Sequence, residues 1–175
     1  MTMMKTGRLI LRPFRETGYD DLYEFLSQLE HDEFEGYPGI TYENGREHLK
    51  YRMDSQEFYA IELAGSGKVI GNIYCGSRDF CAKEVGYIIN RDYQRKGYAS
   101  EALYAVIGQA FQEGAHRVFA ECDPRNVRSW KLLEKVGMKR EAHFRQNVFF
   151  HKDSSGAPIW KDTFVYAILA EDRPS

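Results

Sequence analysis

With 175 residues, 43% hydrophobic and 14% aromatic, the chain is long enough to close a sizeable core, and one domain over residues 1–175 is the expectation. Lys and Arg number 24 against 26 Asp and Glu, a balance that gives no electrostatic footprint for nucleic acid or an anionic membrane, so any anionic ligand must be held locally. Cys75, Cys81 and Cys122 are an odd number without metal-ligand spacing, the five histidines are scattered, and no apolar run reaches membrane-spanning length; we expect a cytoplasmic protein without a structural metal.

The opening MTMMKTGRLILRPF breaks its apolar stretch with Arg12 and Pro13, unlike a signal peptide, and residues 8–14 read as a strand with Leu9 and Leu11 set against arginines. A helix follows, with Thr17 and Asp20 resembling a capping box and Leu22, Phe25, Leu26 and Leu29 on one face. EHDEFEGYPGI is acidic, aromatic and turn-rich, so it reads as a loop before a helix over roughly 42 to 54. FYAIELAGSGKVIGNIYCG reads as a hairpin around Gly65, Ser66 and Gly67. KEVGYIIN is a short apolar strand whose Gly86 indicates a bulge, or close approach by a backbone or ligand.

From Tyr98 to Glu113, Ala99, Leu103, Val106, Ile107, Ala110 and Phe111 form a helical stripe that Gly114 ends. RVFAECD is a strand, and Asn126 is placed to cap a second helix that directs Val127, Trp130 and Leu133 inward and stops at Gly137. MKREAHFRQNVFF and DTFVYAILA are strands of a terminal hairpin around HKDSSGAPIW. The order β, α, α, β, β, β, α, β, α, β, β mixes hairpins with one strand-helix-strand crossover, which is α+β rather than doubly wound.

QRKGYASEAL, residues 94–103, carries the chemistry. A strand runs through a short loop into a buried helix, whose first N–H groups lack partners within it and whose dipole places positive charge at the same end. Gly97 lets a phosphate approach the backbone, Ala99 keeps the next turn narrow, and Arg95 and Lys96 add charge; read alone, the same residues also suit an ordinary helix start. Neither G-x-x-x-x-G-K-[ST] nor G-x-G-x-x-G is present, which leaves nucleotide hydrolysis and hydride transfer without their motifs.

Gln94-Arg95-Lys96-Gly97-Tyr98-Ala99 resembles the Q/R-x-x-G-x-G/A signature of the GNAT superfamily of N-acetyltransferases. KEVGYIIN before it, Asn126-Val127-Arg128-Ser129 with LLEKVGM after it, and RLILRPF at the start agree with that family, most closely with the ribosomal-protein N-terminal acetyltransferase branch. The resemblance implies a mixed, mostly antiparallel sheet flanked by helices, with acetyl-CoA in a cleft where the fourth and fifth strands splay. It implies transfer of an acetyl group to a primary amine, on a small molecule or a protein N-terminus, by direct transfer in a ternary complex. It brings no metal, nucleic acid or membrane partner, and it allows a homodimer.

Residue by residue, the resemblance makes Glu84 the catalytic base, acting directly or through water, although a strand-edge glutamate in a surface ion pair has the same pattern. Ile88, Ile89 and Asn90 become main-chain partners of pantetheine, and Arg95, Lys96, Gly97, Tyr98, Ala99 and Ser100 the pyrophosphate loop. Asn126 is a cofactor contact, a helix cap or both. Ser129 is the group that protonates the CoA thiolate, with Tyr74, Tyr87 and Tyr98 as alternatives. Carboxylates in the loop His31-Asp32-Glu33-Phe34-Glu35 either attract a cationic amine or are simply solvated. A non-catalytic acyl-CoA-binding module is the second functional reading.

Overall fold

The computed structural model describes residues 1–30, 32–34, 36–37 and 39–172. Its elements are β1 (Met4–Lys5), β2 (Leu9–Arg12), α1 (Tyr19–Ser27), α2 (Gly45–Asp54), β3 (Phe58–Leu63), β4 (Val69–Arg78), β5 (Ala82–Ile89), α3 (Tyr98–Gln112), β6 (Arg117–Cys122), α4 (Val127–Lys135), β7 (Lys139–Lys152) and β8 (Pro158–Leu169). Among the described residues one sheet runs in the order β1-β2-β3-β4-β5-β6-β8-β7. All neighbouring strands are antiparallel except β5 and β6, which run parallel on either side of the α3 crossover. The expected α+β order is present, with the two-residue β1 in addition. No described helix is long and apolar enough to cross a membrane.

Each face of the sheet has its own core. On one, Leu103 and Val106 of α3 and Leu133 of α4 meet Leu11, Ile61, Val85, Val118 and Tyr166. On the other, Leu22, Phe25 and Leu26 of α1 and Leu49 of α2 pack with Ala60 and Val69. The stripe read from α1 is therefore a core stripe; Leu22 and Phe25 are fully buried, and burial of each such side chain contributes about 2 kcal/mol. The capping box does not form. Glu16–Gly18 is a 3-10 turn, Gly18 precedes α1 without a side-chain cap, and the Asp20 carboxylate instead accepts the Tyr42 hydroxyl at 2.7 Å.

Two glycines lie where β4 and β5 pair, one tightly packed and one open. A Cβ at Gly71 would stand 2.1 Å from the Ile88 carbonyl oxygen, a main-chain atom that cannot move alone. Gly86 sits in regular register opposite Tyr74, so it is not a bulge, and a Cβ added there meets nothing within 4 Å. The open approach expected at Gly86 is present; the tight backbone contact lies one strand over. Gly71→Ala is expected to cost about 2 kcal/mol through overpacking. Urea unfolding checks this, and an unchanged midpoint would show that β4 yields without penalty.

Candidate active site

The parallel pairing of β5 with β6 covers only Ala82↔Arg117, Lys83↔Val118 and Glu84↔Phe119, entered by a hydrogen bond from His116 N–H to the Cys81 carbonyl at 2.8 Å. Beyond Glu84 the strands part. β4 stays paired with β5 as far as Ile89, and β8 stays with β6 as far as Cys122, so each arm of the fork keeps a ladder on its outer side. Between the arms lies a cleft of about 1240 Å³.

Ladder alternation decides which main-chain groups enter it. Asn90 N–H donates to the Ile70 carbonyl at 2.8 Å, so the even-numbered rungs of this arm, Ile88 included, face β4. The odd-numbered rungs face the cleft, as the Cys81 bond to β6 requires, and among Ile88, Ile89 and Asn90 only Ile89 aims its main chain there. Its carbonyl accepts Gln94 Nε2 at 3.0 Å. Asn90 is fully buried, donates to Glu24 Oε1 at 2.7 Å and accepts from Gln28 Nε2 and Asp92 N–H, each at 3.1 Å. It ties α1 to the loop. Ile88 gives the cleft its side chain, not its rungs.

The loop ahead of α3 has the geometry of an anion cradle. Arg95 (φ 63) and Gly97 (φ 84) are both left-handed, the first intrahelical bond runs from Glu101 N–H to the Gly97 carbonyl, and among the described residues Tyr98, Ala99 and Ser100 N–H have no main-chain or side-chain acceptor. Arg95, Gly97, Tyr98, Ala99 and Ser100 line the cleft, whereas Lys96 turns its ammonium back to the Asp92 carbonyl at 2.7 Å. The loop is braced by a residue the sequence reading passed over. Arg8 donates to the Lys96 carbonyl at 2.9 Å and to Glu101 at 2.7 Å, and lies 4.5 Å from the centre of the Tyr98 ring.

On the β6 arm, Asn126 caps α4 through its Oδ1, which accepts Ser129 N–H at 3.2 Å. Ser129 Oγ lies 2.9 Å from the Tyr87 hydroxyl, joining two of the groups considered as proton donors across the fork. Cys122 is beside them; burial pushes its thiol up to about 11, against a smaller opposing effect of a hydrogen bond with Ser129. Tyr98 and Tyr74 also line the cleft, Tyr98 with its ring under Arg8 and Tyr74 with its hydroxyl accepting from Arg78 at 2.8 Å.

Glu84 sits at the base of the fork and is held by Arg78 at 2.5 Å; it is not among the residues lining the cleft. Glu121, on the opposite arm, does line it. Although Glu121 opens onto the cleft, surrounding protein raises its carboxyl above the ordinary value, first by burial and then through the negative charge of Glu84. RVFAECD carried no signal for this beyond strand alternation, which places Glu121 on the face of Phe119. In the acidic loop, His31 and Glu35 lie outside the described residues. Asp32 accepts Phe34 N–H at 2.9 Å, and Glu33 turns its carboxylate to a long, exposed pair with Arg125 at 3.7 Å while its main-chain carbonyl accepts from Lys161.

Forked strands with a helix start at the mouth of the gap define an acyltransferase cleft. A model of the acetyltransferase (GNAT) domain matches residues 8–139, and the chain belongs to that family. It is 32% identical, over 95% of its length and 96% of the relative's, to the uncharacterized N-acetyltransferase YnaD of Bacillus subtilis. A GNAT-family acetyltransferase structure from Bacillus anthracis matches with a TM-score of 0.87 at 29% identity, covering 97% of this chain and 99% of that one. RimL, a ribosomal L7/L12 alpha-N-protein acetyltransferase solved in complex with coenzyme A, shares the fold with a TM-score of 0.81 at 16% identity, over 98% and 100% of the two chains.

The brace has a pH signature. Burial alone would raise the Glu101 carboxyl, but hydrogen bonds from Thr6 and Arg8 outweigh it and hold the pKa below the ordinary value. A depressed folded pKa stabilises above the unfolded pKa, and the contribution is lost as pH falls through the folded value. Glu101→Gln is therefore expected to lower stability at neutral pH by about 2 kcal/mol, with the gap to wild type closing in acid. Urea midpoints across pH measure this; a gap that does not depend on pH would contradict it.

Proposed function

We propose that the protein is an acetyl-CoA-dependent N-acetyltransferase acting on a primary amine by direct transfer within the cleft. The observation that carries this is the fork itself: one mouth offers unpaired helix N–H groups at a left-handed loop, and the other side offers a carboxylate of raised pKa. These residues fit coenzyme A. The N–H groups of Tyr98, Ala99 and Ser100 with Arg95 would hold its diphosphate, and the Ile89 rung its pantetheine. When bound, acetyl-CoA supplies the acetyl group as a thioester, whose C–S bond is exchanged for a C–N bond to the amine while nitrogen loses a proton and sulfur gains one.

The chain provides for both protons. Glu121 takes the amine's proton; a carboxylate with a raised pKa is the stronger base, and burial first, then the charge of Glu84, keeps it so. The joined hydroxyls of Tyr87 and Ser129 hold the proton that passes to sulfur. Glu84 acting itself as base remains the competing assignment, and pH profiles separate the two. Glu121→Gln should lose about a hundredfold or more in kcat/KM. Glu84→Gln should retain most activity while its acid limb moves to lower pH, because removing a negative neighbour lowers the Glu121 pKa. The opposite pattern would return the role to Glu84.

Gly97→Glu tests the cradle. It places a carboxylate and a Cβ where φ is 84 and the cavity is expected to receive an anion. Calorimetry should show coenzyme A binding lost while the far-UV CD spectrum is kept; retained affinity would rule the loop out as the diphosphate site. Coenzyme A binding without thiol release on any amine would instead favour the non-catalytic module. We further propose that the reaction takes place in the cytoplasm, where three free cysteines are kept reduced.

A further inference from the structure

The α2 side of the cleft contains a buried cation that, among the described residues, has no counter-ion. Arg52, on α2, is 2% exposed and lines the cavity. Its Nε donates to Asn72 Oδ1 at 3.3 Å, its Nη1 to the His48 carbonyl at 3.2 Å, and its Nη2 to the Tyr37 hydroxyl. All three acceptors are neutral. The guanidinium also lies 5.0 Å from the Phe58 ring centre and 5.9 Å from that of Tyr37, which holds it flat without neutralising it. Among the described residues no carboxylate comes within 4 Å of it.

Buried charges are ordinarily paired, because an unpaired one gives up hydration for nothing. The other buried cations here obey the rule: Arg12 is paired with Glu62, and Lys161 has Asp123 at 3.8 Å. Among the described residues Arg52 is the exception, and of the five N–H donors of a guanidinium its three bonds to them leave two unused. Those bonds fix the planar group from three sides, as a carboxylate-binding fork requires. Asn72, which it touches, is paired with Ile88, and Gly86, with open space above it, is two residues back along β5 on the same face.

We infer that the acceptor amine carries a carboxylate close to its nitrogen, and that Arg52 binds it. The inference rests on the acetyltransfer reading above and narrows it. The carboxylate has two sources, the α-carboxylate of a free amino acid or an acidic side chain next to a peptide N-terminus, and Arg52 serves either. Carboxylates in the loop before α2 would attract a cationic amine, but a buried cation in the pocket selects against a simple polyamine.

The test is thiol release from acetyl-CoA by the intact protein with matched acceptors: alanine against alaninamide, and alanyl-glutamic acid α-amide against alanyl-glutaminamide. The first pair reports the free amino acid and the second the peptide. In at least one pair the acid should exceed its amide about tenfold or more in kcat/KM, and Arg52→Met should bring that ratio close to one without changing coenzyme A affinity. Arg52→Lys, which keeps the charge but not the fork, should retain part of the preference and serves if the Met variant does not fold. Equal rates on acid and amide in both pairs, or a preference that survives in folded Arg52→Met, would overturn the inference. If no amine is turned over, the acetyltransfer reading fails separately. Calorimetry of N-acetylalanine against N-acetylalaninamide then decides the Arg52 site, binding of the acid alone upholding it and equal or absent binding overturning it.

Discussion

Everything in the site depends on where the parallel pairing of β5 with β6 stops. Three residue pairs hold the strands together, and beyond Glu84 and Phe119 their facing edges separate. An open edge inside a sheet leaves main-chain donors and acceptors unsatisfied, a cost that proteins normally avoid. Here the outer ladders make it tolerable, since β4 holds one arm and β8 the other. Val85, Val118 and Ala120 also anchor the root of the fork in the core beneath α3 and α4. The cleft is thus built into the topology.

From that fork follows a division of labour between the two faces. Helices α3 and α4 lie on one face and bring their N-termini to the cleft, α3 with its open N–H groups and α4 with the Asn126 cap and Ser129. Helices α1 and α2 lie on the other and bring Arg52 over Asn72 and Phe58. The strands between them expose Gly86 and Glu121 toward the second side. On the proposed reading, an acyl donor held from the first face and an acceptor entering from the second would meet across the sheet, neither passing through the other's binding site. Asn90 and Arg8 keep the halves in register. Asn90 ties α1 to the root of the loop, and Arg8 ties the N-terminal strand to the loop's carbonyl and to Glu101.

How much of this was legible in the sequence depended on how local the signal was. The stripes of α1 and α3, the cap at Asn126 and the glycine of the loop are set by residues within a few positions of one another, and each is found where it was read. The capping box at Thr17 failed for a tertiary reason, since Tyr42, far along the chain, takes the Asp20 carboxylate. Ile88 and Asn90 were placed on the right arm but given the wrong main-chain direction, because ladder parity depends on how β4 is registered and not on β5 alone. Glu121 and Arg52 carried no pattern. One becomes a cleft residue only because the strands part; the other, on a helix of charged and polar residues, looks like a surface arginine until β3 and β4 bury it.

The electrostatics of the pocket also revise what an overall charge balance can say. The chain is nearly neutral, and the acids in the loop before α2 suggest a site that favours cations. Yet the described acids there are turned to local use, Asp32 to a turn and Glu33 to a long exposed pair, where screening leaves little field. Fields that reach a bound ligand come from charges with little water around them. In this cleft the guanidinium of Arg52, without a carboxylate partner among the described residues, is such a charge, and the more open carboxylate of Glu121 is opposite to it in sign and on a different element. On the reading proposed above, an acceptor that satisfies both would itself be dipolar, with an amine toward β6 and an anion toward α2. Selectivity would then come from the orientation of two charges rather than from their sum.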